Sequence, residues 1–350
     1  MQGGHKGNFD AHKEDGNMDE KMFYQEGGDR MKKATKIWLI IAASLVLVGG
    51  IIFTGVMSML KWDFKKLSTV QYETSEYGLE EEYSNISIIT DTADITFVPS
   101  EKEKSLVVCY EENKEKHTVK VEEDTLKIEV SSEKKWYDYV GIQLGTPQIT
   151  VEIPKKEYEM LSVKVSTGDV VVPEGMVFQR VEISGSTGDI TCKDSDFGSM
   201  KLKTSTGNIC VENASASAMD IAVSTGKVTV NSVACKGEVK VRVTTGKTQM
   251  TDIQCKSVHS NGSTGDLTMK NVVAEKQIEI KRSTGHVKLE SSDAKTLNIQ
   301  TDTGDVTGSL LSEKQFVVKT STGDVHVPET TGGKCKVSTS TGDIKFTVEN

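Results

Sequence analysis

The chain has 350 residues and carries 42 Lys plus Arg against 51 Asp plus Glu, a net charge of −9. With that sign, and no basic patch with interleaved aromatics, a nucleic-acid partner is excluded. Five prolines beside 30 glycines suit an all-β repeat and argue against a proline-rich or low-complexity chain.

Residues 1–36 are polar, contain glycine and lack hydrophobic periodicity, which predicts a disordered cytoplasmic tail. His5 and His12 in that tail match no metal-ligand spacing. Met31-Lys-Lys-Ala-Thr-Lys reads as an alternative start just before the apolar stretch that follows. From Ile37 to Leu60 no residue is charged, and a stretch of that length predicts a transmembrane helix over 37–60. The stretch is too long for a cleaved signal peptide, and no Ala-x-Ala follows it. Arg30, Lys32, Lys33 and Lys36 precede it and Lys61, Lys65 and Lys66 follow. That slight bias places the N-terminus inside and the C-terminal domain outside. Residues 61–80 read as a stalk.

Residues 62–160 hold seven of the eight tyrosines and two of the three tryptophans, and 81–160 alternate apolar and polar residues irregularly, so they are expected to cap the repeats that follow. Asp91-Thr-Ala-Asp-Ile looks like a worn copy of the repeat. Trp136, Tyr137 and Tyr139 lie in this segment after two lysines and form the candidate partner surface. The competing reading packs these rings over a solenoid end.

Residues 161–350 contain no Trp or Tyr and repeat a Ser-Thr-Gly tripeptide. Its glycines are Gly168, Gly188, Gly207, Gly226, Gly246, Gly265, Gly285, Gly304, Gly323 and Gly342, and the step between them never varies by more than a single position. Apolar residues keep a fixed phase to them, at seven and five positions before and two and four after. Three residues break the phase: Ser260 five before, Thr248 two after and Gly308 four after. Period-two alternation on both sides of a turn predicts two short strands per unit, joined by a looser return of about eight residues. Each glycine is expected to take positive φ, with Ser, Thr, Asp and Asn bonding their own turn.

Two folds fit that phase: a β-solenoid of about ten coils, or an antiparallel meander with Thr-Gly at every hairpin tip. The near-constant unit length favours the solenoid, because an inserted residue puts a coil out of register, whereas a hairpin loop tolerates it. Thr-Gly is also a poorer two-residue hairpin turn than Asn-Gly or Asp-Gly.

An N-terminal anchor, an irregular β segment ending in Ile153-Pro154, and serial Ser-Thr-Gly-Asp-Val units together resemble the bacterial putative-adhesin family of β-strand repeat proteins, the domain-of-unknown-function 4097 family. The resemblance covers roughly residues 62–350. It implies an extracytoplasmic β-solenoid and brings no catalytic residues with it.

The residue after each glycine invites a metal reading. Asp169, Asp189, Asp266, Asp305, Asp324 and Asp343 would form a carboxylate row, with Asp305, Asp324 and Asp343 at its densest end. Lys227 and Lys247 interrupt that row, and calcium solenoids need several ligands per turn, so no metal and no cofactor is expected. A polysaccharide lyase or hydrolase would need paired carboxylates or a base with an arginine, beside aromatics that stack on sugars. The repeats hold only Arg180, Arg242 and Arg282, and His259, His286 and His326 share no phase. No catalytic residue is therefore assigned and the chain is read as a non-enzyme. Of six cysteines, only Cys235 and Cys255 are candidates for a bridge between adjacent coils, and their phases differ by one residue.

These observations predict a membrane-anchored, non-catalytic envelope module whose partners are the membrane and an envelope protein or glycan. An accessory or sensor of an envelope-stress circuit is the second reading, and a carbohydrate-active β-helix enzyme the third.

Overall fold

The computed structural model describes residues 33–68, 70–139 and 145–349. Most of the tail read at 1–36, including His5, His12 and the start at Met31, lies outside the described residues. The chain divides into two compact units, Met1–Phe64 and Lys65–Asn350.

The described part of the first unit is one helix, α1, Lys33–Met59, of 27 residues. A mean hydropathy of 2.5 over its apolar 18-residue stretch, with its length, makes it a candidate membrane span or signal-sequence helix. Leu60, Lys61 and Trp62 close it with backbone N–H bonds to Val56, Ser58 and Met57.

The second unit is a β-solenoid. From Val177 to Thr284 every strand pairs in parallel with the equivalent strand one repeat further on, as in Val181 with Met200, Met219 and Val239. Parallel in-register pairing of consecutive units rules out the meander, which would alternate direction. The apolar phases all point inward. Ile183, Leu202, Ile221 and Val241 form one buried column and Ile190, Ile209 and Val228 another. Each such side chain contributes about 1.5–3 kcal/mol of transfer free energy on burial.

Each Thr-Gly is a corner. The ten glycines take φ between +125° and +145°, a region that L side chains rarely adopt. A Cβ there would also strike the carbonyl oxygen of the corner beneath, for example 2.0 Å from Gly168 O at Gly188. The return is not loose. In the middle of the stack the chain runs as continuous strands of 17 or 18 residues, such as Ile209–Thr225 and Val228–Thr245. They bend at a second corner a few residues after each glycine, where Asp194, Asn213, Ser232, Asp252, Asn271 and Ser291 take φ of 45–54°. Short polar side chains are the non-glycine residues that tolerate this conformation. The extra residue of the longer repeats is absorbed by bulges, as between Cys235 and Glu238.

Stacking follows chain order only in the middle. The first strands are β1 (Tyr72–Leu79), β2 (Asn85–Thr92), β3 (Asp94–Ser100), β4 (Ser105–Glu112), β5 (Glu115–Glu122), β6 (Thr125–Ser132), β7 (Gln148–Pro154), β8 (Glu157–Thr167) and β9 (Val170–Val172). The coil β2–β3 pairs in parallel with β8–β9 on one side and with β6–β7 on the other. The worn copy is therefore a full coil, with Ala93 beneath Gly168. Beyond β6–β7 the direction reverses. β5 pairs antiparallel with β6, and β4 pairs antiparallel with both β7 and β1. These antiparallel strands are the cap, so residues 72–79, expected in the stalk, belong to the domain, and only part of 81–160 caps it.

The C-terminal end is interleaved too. Strand Gly333–Ser338 lies between Val287–Gln300 and Lys314–Lys319, and Ile344–Val348 lies between Val306–Leu310 and Val325–His326. The corners therefore stack in the order Gly304, Gly342, Gly323. Thr339 Oγ1 donates to Gly304 O at 3.2 Å and Thr320 Oγ1 to Gly342 O at 3.1 Å, in the same order.

Candidate functional site

The residues after the corner glycines form a ladder rather than a row of free ligands. Asp94 Oδ1 accepts from Asp169 N at 2.9 Å, Asp169 Oδ1 from Asp189 N at 2.7 Å and Asp189 Oδ1 from Asn208 N at 2.7 Å. At the far end Asp305 Oδ1 accepts from Asp343 N at 2.9 Å and Asp343 Oδ1 from Asp324 N at 2.8 Å. The acceptor reaches the turn of the next coil, not its own turn as expected, because stacked corners place that N–H directly over the carboxylate. Lys227 and Lys247 offer no acceptor and interrupt the ladder.

Among the described residues the one group of side chains close enough to hold a metal ion lies in the cap: Cys109, Glu111 and His117, all buried. Sequence reading passed over it, and the signal was slight: a histidine and a glutamate at inward positions of β5 and β4. The group is a closed hydrogen-bond network. Glu111 Oε2 accepts from His117 N at 2.7 Å and lies 2.8 Å from His117 Nδ1, while Oε1 accepts from Ser75 Oγ at 2.9 Å. His117 Nε2 lies 2.8 Å from Thr90 Oγ1. Both ring nitrogens and both carboxylate oxygens are thus engaged. Burial and the Glu111 charge push the Cys109 thiol up to about 12, so it stays protonated and is a poor ligand at neutral pH. This arrangement ties β1, β2, β4 and β5 together.

Cys235 and Cys255 are Cα partners on adjacent coils, and both thiols are free. Counted from the preceding glycine their phase is the same; the one-residue difference is taken up in the bulge after Cys235. Burial raises both thiols, Cys255 to about 12.

The aromatic candidates occupy a 3-10 helix, Trp136–Tyr139, in the segment joining β6 to β7. Trp136 is 80% exposed and Tyr137 49%. Their rings meet edge to face at 5.9 Å, and Lys135 Nζ stands 5.9 Å from the Tyr137 ring centre. The Tyr139 side chain lies outside the described residues. Other rings are buried in a column through successive coils: Tyr83, Tyr158 and Phe178 stack at 6.0 and 5.5 Å. Tyr137 borders a cavity of about 270 Å³ whose polar wall includes Gln71, Asn113, Lys114 and Asp138. Asp138 caps the short helix by accepting from Lys135 N at 2.9 Å and pairs with Lys114, and the Lys114 hydrogen bond lowers its pKa. Trp136 and Tyr137 are thus presented by a fixed turn, next to a recess lined with hydrogen-bonding groups.

Corner glycines stacked over carbonyls, an inward column of β-branched residues and an antiparallel cap define a β-solenoid repeat protein. The chain matches the Toastrack DUF4097 family over residues 83–255 and 236–350 and belongs to that family. No curated protein matches it. Solved structures similar to it include a putative adhesin from Bacteroides fragilis, 13% identical, covering 79% of this chain and 97% of its own, with a TM-score of 0.40. A putative lipid binding protein from Parabacteroides distasonis is 16% identical, covers 77% of this chain and 98% of its own, and has a TM-score of 0.44. A putative adhesin from the same organism is 10% identical, covers 80% of this chain and 98% of its own, and has a TM-score of 0.32.

Proposed function

We propose that this protein is a membrane-anchored, extracytoplasmic and non-catalytic binding module that captures an envelope glycan at Trp136 and Tyr137. The observation that carries the reading is the exposed Trp136–Tyr137 pair beside the 270 Å³ recess. An indole left 80% in water adds nothing to folding, whereas a sugar face laid on it gains apolar burial and the recess supplies hydrogen bonds. The stacked coils give this turn a base, and the carboxylates of Asp169, Asp189, Asp305 and Asp343 on them are occupied by the ladder.

A pull-down with the full chain against envelope fractions tests the reading. Trp136→Ala is expected to weaken capture roughly 30-fold, about 2 kcal/mol, the size of an aromatic hot spot. Retention of an envelope protein rather than a saccharide, or equal capture by the variant, would overturn it. α1 acts as the anchor, with the N-terminus in the cytoplasm and the solenoid outside. Protease added to intact cells is expected to digest the solenoid and spare the N-terminal tail. Digestion confined to the tail would invert the topology.

A further inference from the structure

Two of the three residues that break the apolar phase, Thr248 and Ser260, meet at one point inside the solenoid, where they face Arg282. Arg282 stands three positions before Gly285, a position held by Thr204, Thr301 and Thr339 in other coils. Its strand partner one coil down is Gly262, whose own partner is Val243. A Cβ on Gly262 would lie 1.6 Å from Arg282 Nη1, so only glycine leaves room for the side chain to fold back over it. The guanidinium then reaches two coils. Nη2 donates to Ser260 Oγ and Thr248 Oγ1, both at 3.0 Å. Arg282 is 4% exposed, Ser260 0% and Thr248 1%. Together with Gly262, these residues turn an apolar column locally into a polar one.

This arrangement uses only two of the five N–H groups of the guanidinium. Nε and Nη1 are buried with no acceptor from the chain, and no carboxylate forms an ion pair with Arg282 among the described residues. A buried cation without a counter-charge is among the most costly groups a core can hold. Burial lowers the Arg282 pKa to about 10, which leaves the group charged at neutral pH. We propose that the solenoid interior binds a small monovalent anion of the chloride class against Arg282. The anion takes donors from Nε or Nη1 and neutralises the guanidinium, while Thr248 and Ser260 hold Nη2 in place. The small size follows from the burial of Arg282, Ser260 and Thr248 and of Val241, Val243 and Ile280 at the neighbouring inward positions.

The experiment uses the full chain in detergent. Sodium chloride replaces sodium gluconate at constant ionic strength, and unfolding is followed by circular dichroism. Chloride is expected to raise the midpoint, by about 3 °C for each tenfold increase once the site is filled. Arg282→Thr, which restores the residue of other coils, is expected to abolish that dependence. Crystals of the wild-type chain grown in bromide are expected to give an anomalous peak within hydrogen-bond distance of Nε or Nη1. A midpoint indifferent to chloride, an equal dependence in Arg282→Thr, or ordered water alone at Arg282 would each overturn the proposal. If the variant does not fold, the wild-type chloride series and the bromide crystals decide alone.

Discussion

Gly226→Ala is expected to destabilise the solenoid by at least about 4 kcal/mol. Gly226 has φ +145°, and a Cβ there would lie 1.9 Å from Gly207 O and 2.7 Å from Gly207 C. Those are backbone atoms of the corner beneath, so no rotamer change relieves the clash. The corner would have to lift. Lifting it weakens the bonds that fix its level, Gly226 N to Thr245 O and Gly207 N to Thr225 O, both 3.0 Å. Because each coil contacts only its neighbours, the damage divides the stack at that level. The neighbouring exposed Ser224→Ala is the control and is expected to stay within about 0.5 kcal/mol of wild type. Urea midpoints and hydrogen exchange in the flanking coils measure both. A Gly226→Ala protein within about 1 kcal/mol of wild type would mean that corner does not rest on corner, and the solenoid account would fail.

Gly308→Val tests the interleaved end, and its sign separates two topologies. In the repeat phase Gly308 stands where other coils carry Val, Leu, Met or Phe, so with coils stacked in chain order valine would fill a gap and stabilise. In the observed order the neighbour of Gly308 is Phe346, two repeats along the chain. A Cβ on Gly308 would lie 2.6 Å from Phe346 Cε1, 3.0 Å from Cδ1 and 3.2 Å from Leu289 Cβ. Phe346 is buried and leans on Phe316 at 5.6 Å, so it has little room to retreat. Gly308→Val is therefore expected to cost about 1–3 kcal/mol as overpacking. Phe346→Ala is expected to cost about 3–5 kcal/mol as a cavity. Gly308→Val combined with Phe346→Val should cost less than the sum of the two single changes, since each relieves the other. A stabilised Gly308→Val protein with no coupling to position 346 would return the last two coils to chain order.

Interleaving at both ends has a common consequence. The coil β2–β3 is held between β6–β7 and β8–β9, and the coil Gly333–Val348 between the Gly304 and Gly323 coils. A coil that ends the chain would fray first in a serial stack. Here the outermost coil at each end is followed in the chain by a segment that returns inward, so peeling it away also pulls on a buried coil.

Much of this was legible from residue spacing. The inward columns, the corner glycines and parallel stacking over Val177–Gln300 follow from a nearly constant period with fixed apolar phases. The second corner was missed although its column of Asp194, Asn213, Ser232, Asp252, Asn271 and Ser291 is visible. Such residues are common in any loop, and only their φ distinguishes a corner. The three phase-breakers, Thr248, Ser260 and Gly308, read as lapses in a pattern. Each is explained by a residue more than one repeat away, Arg282 or Phe346, that no local window contains.

The sequence by itself determined that this chain builds short β coils with one buried face, because side-chain alternation and backbone sterics act within a few residues. Only the tertiary structure decided which coil lies on which at the two ends, which polar residues meet inside, and that Trp136 and Tyr137 face water. Coils of equal length and like phase offer nearly equivalent partners to one another. The choice among them rests on how side-chain volumes such as Gly308 and Phe346 fit across levels, and on where intervening segments such as 101–124 can turn back.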